Sequence, residues 1–321
     1  CKMTIYFKAA SAEQLSPNSL RPWSPPVGRR TRNMRLTFLL FLSFLILLFL
    51  CLRVWRQSTP EQLLPSANSS FSGGFPPDPE PNAGATIIVI TPTHKRSERL
   101  ADMTRFSQTL SHVRNLHWIV IEDGNATVPA VERILQRSGL AYIYFHSIRD
   151  PRLPKRGWTH RNRALDYIRS SYANYKGEAV VYFADDDNSY DIRLFNNYIR
   201  NVKRLGFWAV GLSGAALVEA PHVENDTIVA WDTWYAPQRA FATDMAGFAL
   251  NLREVLRASN TSFNLECAKS APEPCFIQQF GIKKEEAEPF GYDDDPKDIL
   301  VWHVKTNNIG TNGERHGYVI E

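Results

Sequence analysis

Ala179-Val180-Val181-Tyr182-Phe183-Ala184-Asp185-Asp186-Asp187-Asn188 runs an apolar, β-branched and aromatic stretch directly into three consecutive carboxylates. A short, continuously apolar run reads as a strand buried on both faces. The acids follow with almost no spacer, so they stand at its carboxyl end. Side chains alternate along extended chain, so at least one pair of the three can reach a common ligand. A hard divalent cation takes such oxygens and is completed by those of a diphosphate. A solvated acidic loop is the competing reading, and the chain supplies a control for it. Asp293-Asp294-Asp295 follows Gly291-Tyr292 and precedes Pro296 with no apolar strand leading in, and is therefore assigned to the surface. A calcium-loop register starting at Asp185 fails, because the sixth position is Tyr190 and the twelfth Asn196.

Outward from this strand the pattern repeats. Thr86–Ile90, His117–Ile121 and Ala141–Phe145 are further short apolar strands. Between them, Ser97 opens a helix with Leu100, Met103, Phe106, Leu110 and Val113 on one stripe. Thr127 caps another, with Pro129 near its start and Gly139 past its end. Thr159–Tyr172 is a third helix, and a fourth runs from Asp191 to Gly206. Alternating strands and helices with fully apolar strands predict an α/β fold around a mostly parallel sheet. Beyond it, Phe207–Leu212 and Ile228–Trp234 read as strands, and Asp244–Leu256 contains a short helix. The folded region is thus residues 85–321, a first half to about 206 and a less regular half from 207.

What precedes it is different in kind. Residues 1–35 hold seven Lys/Arg against Glu13 alone, so the rest of the chain carries −2 of the formal +4. A nucleic-acid binder concentrates positive charge on its folded domain, which this chain does not. Leu36–Leu52 is a 17-residue run whose only polar members are Thr37 and Ser43. That suits a span of an early-secretory membrane, and the preceding arginines put residues 1–35 in the cytosol. Arg53-Val54-Trp55-Arg56 lacks the small residues of a signal-peptide cleavage site, so the run reads as an uncleaved anchor. Met34 offers an internal start that would make residues 1–33 a translated leader. Residues 53–84, rich in Pro and Ser, cannot bury a core and read as a stem. Sequons at Asn68, Asn125, Asn225 and Asn260 fit a lumenal location. Cys267 and Cys275 either pair there or remain two buried thiols.

In open α/β sheets ligands sit beyond the carboxyl ends of the strands. Those ends read Thr91-Pro92-Thr93, Glu122-Asp123-Gly124 and Asp185-Asp186-Asp187. Arg156 and Arg161, with Lys155 and Arg163, lead into a helix, where they suit phosphate or carboxylate or form a solvated basic face. His303 ends an apolar run from Ile299, as a site residue or a satisfied core histidine.

Five ordered motifs then carry a resemblance: Ile90-Thr91-Pro92-Thr93; Leu116-His117-Trp118 with Ile121-Glu122-Asp123; Val181–Asn188; Asp244-Met245-Ala246-Gly247-Phe248-Ala249; and Leu300-Val301-Trp302-His303. Over about residues 85–306 the chain resembles the beta-1,3-glucuronosyltransferases. The resemblance implies a glycosyltransferase A-type fold, with a Rossmann-like nucleotide half and an acceptor half, in a type II Golgi membrane homodimer. It implies inverting transfer of glucuronic acid from UDP-glucuronate to a galactose-terminated glycan, with Mn²⁺. Pro92, Asp123, Arg156, Arg161, Asp185, Asp186, His303 and Lys305 resemble donor positions, and Asp187 the one that holds the metal. Glu219, Arg239 and Asp244 resemble acceptor positions, and Glu273 the catalytic base. Such a base must take the proton of the attacking hydroxyl. Some positions depart from the family: His94 stands for Tyr, Lys305 for Arg, Tyr235 for Trp or Phe, and Ala271-Pro272-Glu273-Pro274-Cys275 for the usual surroundings of the base. Glu285, Glu286 and Glu288 are expected in solvent. Another UDP-sugar, or an inert lumenal binding relative, are the alternatives, and the acceptor glycan stays open.

Overall fold

The computed structural model of the chain describes residues 72–73, 76–77, 84–155, 157–269 and 271–304. They fall in one compact unit, Ser66–Glu321. The expected tail and anchor, most of the stem, Arg156, Lys305 and residues 307–321 lie outside the described residues. Among the described residues no helix is long and apolar enough to cross a membrane.

Strand β1 (Ser72–Gly73) pairs antiparallel with the edge of the main sheet. Strands β2 (Thr86–Thr93), β3 (Leu116–Asp123), β4 (Ala141–Ser147) and β5 (Ala179–Phe183) form its parallel heart, ordered β4-β3-β2-β5. Helices α1 (Arg99–Leu110) and α2 (Pro129–Ser138) link β2 to β3 and β3 to β4. Helix α3 (Trp158–Ser171) carries the chain from β4 back over β3 and β2 to β5. A right-handed crossover in that reversed direction must use the opposite face of the sheet. The core divides accordingly. Ile87, Val89, Trp118, Val120, Val180 and Tyr182 pack with Met103 and Phe106 of α1 and Val131 and Leu135 of α2. Ile88, Ile90, Ile119, Ile121, Val181 and Phe183 pack with Leu165 and Ile168 of α3. The strand order thus reverses between β2 and β5, and a crevice opens there at their carboxyl ends.

After β6 (Ser189–Tyr190) the expected helix over 191–206 is broken. Its Asn-rich middle widens to a π-helical turn at Leu194–Tyr198, tightens to a 3-10 turn at Ile199–Asn201, and stops. The expected strand over 207–212 is two strands, β7 (Leu205–Phe207) in the main sheet and β8 (Val210–Gly211) in a second one. Trp208 causes the break: its backbone N–H donates to the Gly247 carbonyl and its indole N–H to that of Ala246. Strands β9 (Val218–Glu224) and β10 (Thr227–Asp232) form a hairpin turning at Asn225-Asp226, both with positive φ. Strand β11 (Phe248–Asn251) runs antiparallel between β5 and β7, and leads into α4 (Leu252–Arg257). Helix α5 (Pro272–Gln278) follows, then β12 (Glu288–Pro289) and β13 (Val301–Trp302). The second sheet is ordered β10-β9-β8-β13-β6.

Local expectations fail at two caps. Helix α1 begins at Arg99 rather than at Ser97, with Glu98 as an N-cap whose side chain makes no capping bond. Thr127 does not cap α2; Val128 precedes it, its N–H donating to the Tyr144 hydroxyl instead. Asp293–Asp295 are exposed, as are Glu285 and Glu286. Glu288 is not simply solvated: its carboxylate accepts the backbone N–H groups of Lys203 and Arg204, at 2.8 and 2.7 Å.

Candidate active site

The three aspartates leave β5 on alternating sides and meet different partners. Asp186 is buried. It accepts from Thr93 Oγ1 at 2.7 Å and from both terminal nitrogens of Arg96, at 2.9 and 3.1 Å. Arg96 also reaches Asp102 of α1 at 2.8 Å. Asp186 therefore ties the end of β5 to the end of β2, across the point where strand order reverses. Asp185, on the other side, takes a hydrogen bond from Arg161 in the first turn of α3. Gly157, just before that helix, has φ +71°, and a β-carbon there would stand 2.9 Å from both Arg161 Nη1 and Pro92 Cγ. Only glycine lets Pro92 and Arg161 close this corner.

Asp187 is half-buried. Its carboxyl is pushed up to about 6, first by burial and then by the charges of Asp185 and Asp186. A divalent cation would relieve that excess negative charge. The described residues include no group of three or more His, Cys, Asp or Glu able to hold a metal ion. A hard ion beside Asp187 would therefore need ligand oxygens to complete its shell.

The second sheet brings a further group to this corner. Strand β13 pairs with β6, directly after Asn188, and with β8. His303 follows β13, with its N–H on the Gly211 carbonyl and its Nδ1 2.9 Å from Asp244 Oδ2. That carboxylate raises the histidine's pKa above its ordinary value, and Asp185 and Asp187 add to the effect. Asp244 caps a 3-10 turn by accepting from the Ala246 N–H, and also accepts from Ser213 Oγ at 3.0 Å. Burial alone would push Asp244 up; His303 and these donors hold it below the usual carboxylate range.

Ser213 Oγ also stands 2.9 Å from the buried Glu219, so its single proton is shared between the two carboxylates, and Thr233 donates to Glu219 at 2.6 Å. Arg239 lies 3.8 Å from Glu219 and over the Tyr235 ring, 5.1 Å from its centroid. Gly214, at φ +57°, turns tightly against Glu219; a β-carbon there would stand 2.3 Å from Glu219 Oε1.

Glu273 lies in the first turn of α5. Burial, then the charge of Asp244, pushes its carboxyl up to about 7, and Arg161 and Arg239 oppose this. These influences link Glu273 to the Asp185 and Glu219 sides alike. Its helix is fixed from beneath. Phe276, one turn on, stacks on Phe263 at 4.2 Å and meets the edge of Phe183 at 5.6 Å. Cys267 and Cys275 are disulfide-bonded, which resolves the two readings of that pair.

Asp123 stands exposed at the end of β3, 3.5 Å from the buried His160 of α3. Its neighbour Glu122 turns inward to Arg99 and Tyr144. Sequence reasoning missed Arg96, His160, Ser213 and Thr233. Arg96 follows a strand end and His160 opens a helix, so position could have marked those two; Ser213 and Thr233 carry no such signal.

Residues 106–307 match the sequence profile of Glycosyltransferase family 43. Galactosylgalactosylxylosylprotein 3-beta-glucuronosyltransferase 1 of Homo sapiens is 38% identical over 243 residues, 72% of each chain. Galactosylgalactosylxylosylprotein 3-beta-glucuronosyltransferase sqv-8 of Caenorhabditis elegans is 40% identical over 232 residues, 68% of this chain and 64% of its own. Among solved structures, residues 1–349 of S. aureus TarS in complex with UDP-GlcNAc align with a TM-score of 0.44 at 16% identity, covering 73% of this chain and 62% of that one.

Proposed function

The chain belongs to glycosyltransferase family 43, and from that premise we propose that it is an inverting beta-1,3-glucuronosyltransferase. Its donor is UDP-glucuronate and its acceptor a galactose-terminated glycan of the proteoglycan linkage-region kind, which the names of its relatives support. One observation carries the chemistry: Glu273, a carboxyl held near 7, is linked electrostatically to Asp244, Arg161 and Arg239. A base poised near the working pH combines the ionised form with enough basicity to take a proton.

Asp123, with His160 behind it, receives the uracil beside Pro92. Asp185, steadied by Arg161, faces the ribose and sugar, and Asp186 serves the donor site by locking Thr93 and Arg96 beneath it. Arg161, Arg156 and Lys305 supply positive charge for the diphosphate and the glucuronate carboxylate. His303, its pKa raised by the hydrogen bond to Asp244, faces the diphosphate. Asp187 would hold Mn²⁺, which when bound stabilises charge on the departing diphosphate. On the acceptor side, Glu219, Arg239 and Asp244 orient the galactose so that its 3-hydroxyl points at Glu273. Glu273 takes the hydroxyl proton as the oxygen bonds to the anomeric carbon. The bond to the β-phosphate oxygen breaks on the opposite face, UDP leaves, and the new linkage is β.

The sheet arrangement supports a glycosyltransferase A-type division into donor and acceptor halves, joined at β5 and β11. The anchor at 36–52, a lumenal Golgi location and a homodimer complete the proposal, resting on sequence patterning and on the family resemblance. Release of UDP from UDP-glucuronate and from UDP-galactose, each with and without Mn²⁺, tests it. Turnover confined to UDP-glucuronate and dependent on the metal is expected; equal turnover of both donors overturns the glucuronate reading.

A further inference from the structure

A buried backbone N–H or C=O must find a partner, and one in a loop has no neighbouring strand to supply it. Residues 261–264 lie in neither helix nor strand, yet Phe263 among them is fully buried. Two side-chain amides meet the need. Asn162 of α3 accepts the Phe263 N–H at 2.8 Å and donates to the Phe263 carbonyl at 2.9 Å. Gln279, at the C-terminal cap of α5, does the same for Ser262, at 3.0 and 2.9 Å. A primary amide carries donor and acceptor side by side, so each closes on a single residue as a neighbouring strand would. The strap is held at both ends as well. Arg169 of α3 donates to the carbonyls of Ala258 and Thr261, at 3.0 and 2.8 Å, and Cys267 is bonded to Cys275 of α5.

This strap joins the two helices that carry the candidate site. Asn162 directly follows Arg161, which holds Asp185 at the donor corner. The Phe263 ring meets Trp158 of α3 at 5.9 Å and stacks on Phe276 of α5 at 4.2 Å. Phe276 stands one turn after Glu273. We propose that Asn162 and Gln279 are positioning residues that set Glu273 against the donor corner by lacing the strap between α3 and α5. The proposal rests on the reading of Glu273 as the base given above. A helix of 7 residues is too short to hold its own place. Loss of either amide leaves backbone groups of the strap unpaired, so that Phe263 and Phe276 shift and carry Glu273 with them.

The test places Asn162→Ala and Gln279→Ala in the full wild-type chain and in E273Q, and follows transfer from UDP-glucuronate to methyl β-galactoside. Each is expected to lower the wild-type kcat roughly ten- to a hundredfold, the scale of a misplacement of about 1 Å. UDP affinity by calorimetry should stay within about twofold, because the donor corner keeps Arg161 and Asp185. In E273Q neither substitution is expected to lower kcat further, since residues acting through one group are not additive. Equal losses in both backgrounds overturn the proposal, because the amides would then serve the fold in general. So does a loss confined to KM for UDP-glucuronate, which would assign the clasp to the donor corner alone. Asn162→Asp and Gln279→Glu, which keep the acceptors, replace any alanine variant that does not fold. If the wild-type protein transfers no glucuronate, or E273Q transfers normally, the reading of Glu273 as base fails by itself. The clasp is then read by NMR of the labelled Glu273 carboxyl, with E273Q assigning the signal. From about 7 in the wild type its titration must move toward 4.5 in both variants as water reaches α5. An unmoved titration overturns the proposal.

Discussion

Glu273 stands where stability and activity oppose each other. Unfolded, its carboxyl ionises near 4.5; folded, it keeps its proton until about 7. The folded state therefore binds more protons between those values, and stability falls as pH rises through that window. Glu273→Gln removes the penalty. Its melting temperature is expected to exceed that of the wild type above pH 7 and to converge with it below about 4.5. Transfer should drop at least ~100-fold, as for a lost general base, and wild-type kcat/KM should fall about tenfold per unit below pH 7. A pH series of thermal melts and initial rates checks both; wild-type transfer left intact in E273Q would mean that another group is the base. Arg96 is a different case. It neutralises the buried Asp186, so Arg96→Gln leaves that charge held by Thr93 alone. A loss of about 3 kcal/mol is expected from urea unfolding, since an uncompensated buried charge is costly.

Among the elements, β5 and α5 are the pair that matters most. One delivers the aspartates, the other Glu273, and the two meet through Phe183 and Phe276. Phe276→Ala opens a cavity beneath Glu273, the proposed base. It should cost about 3–5 kcal/mol and lower kcat while leaving KM for UDP-glucuronate within about twofold. Phe276→Leu should recover most of the stability. A matching rise in donor KM would show that the donor corner, not the base, had moved. The disulfide restrains the same segment, since Cys275 lies on α5 and Cys267 precedes it. Helix α5 is short, so this external support is what holds it in place.

For the whole molecule, the site exists because strand order reverses. Chain entering β2 moves outward to β4, returns by α3, and continues in β5, so residues 93 and 186 meet at 2.7 Å. The second sheet then adds His303 from near the far end of the chain. The proposed metal dependence belongs at this scale, because Asp187 would offer one carboxylate and the ligand would have to supply the rest. Treatment with EDTA should abolish UDP release, Mn²⁺ should restore it in the wild type, and Asp187→Asn should not recover. Recovery by D187N would place the ion elsewhere.

Hydrophobic periodicity alone established the α/β class, four central strands, three helices and the acidic strand end, because burial on both faces leaves an unbroken apolar run. The ordered motifs added the family and the candidate site positions. Local pattern failed where tertiary contacts outcompeted it: Trp208 broke a strand, a tyrosine hydroxyl replaced the Thr127 cap, and the helix after β6 unravelled in its Asn-rich middle. The opening triplet shows the division most clearly. The sequence by itself placed Asp185, Asp186 and Asp187 together at a strand end. Only the tertiary structure turned Asp186 inward to Thr93 and Arg96, gave Asp185 to Arg161, and left Asp187 as an excess charge. Alternation sends adjacent side chains to opposite faces, but what waits on each face is set by strand order, which no local pattern encodes.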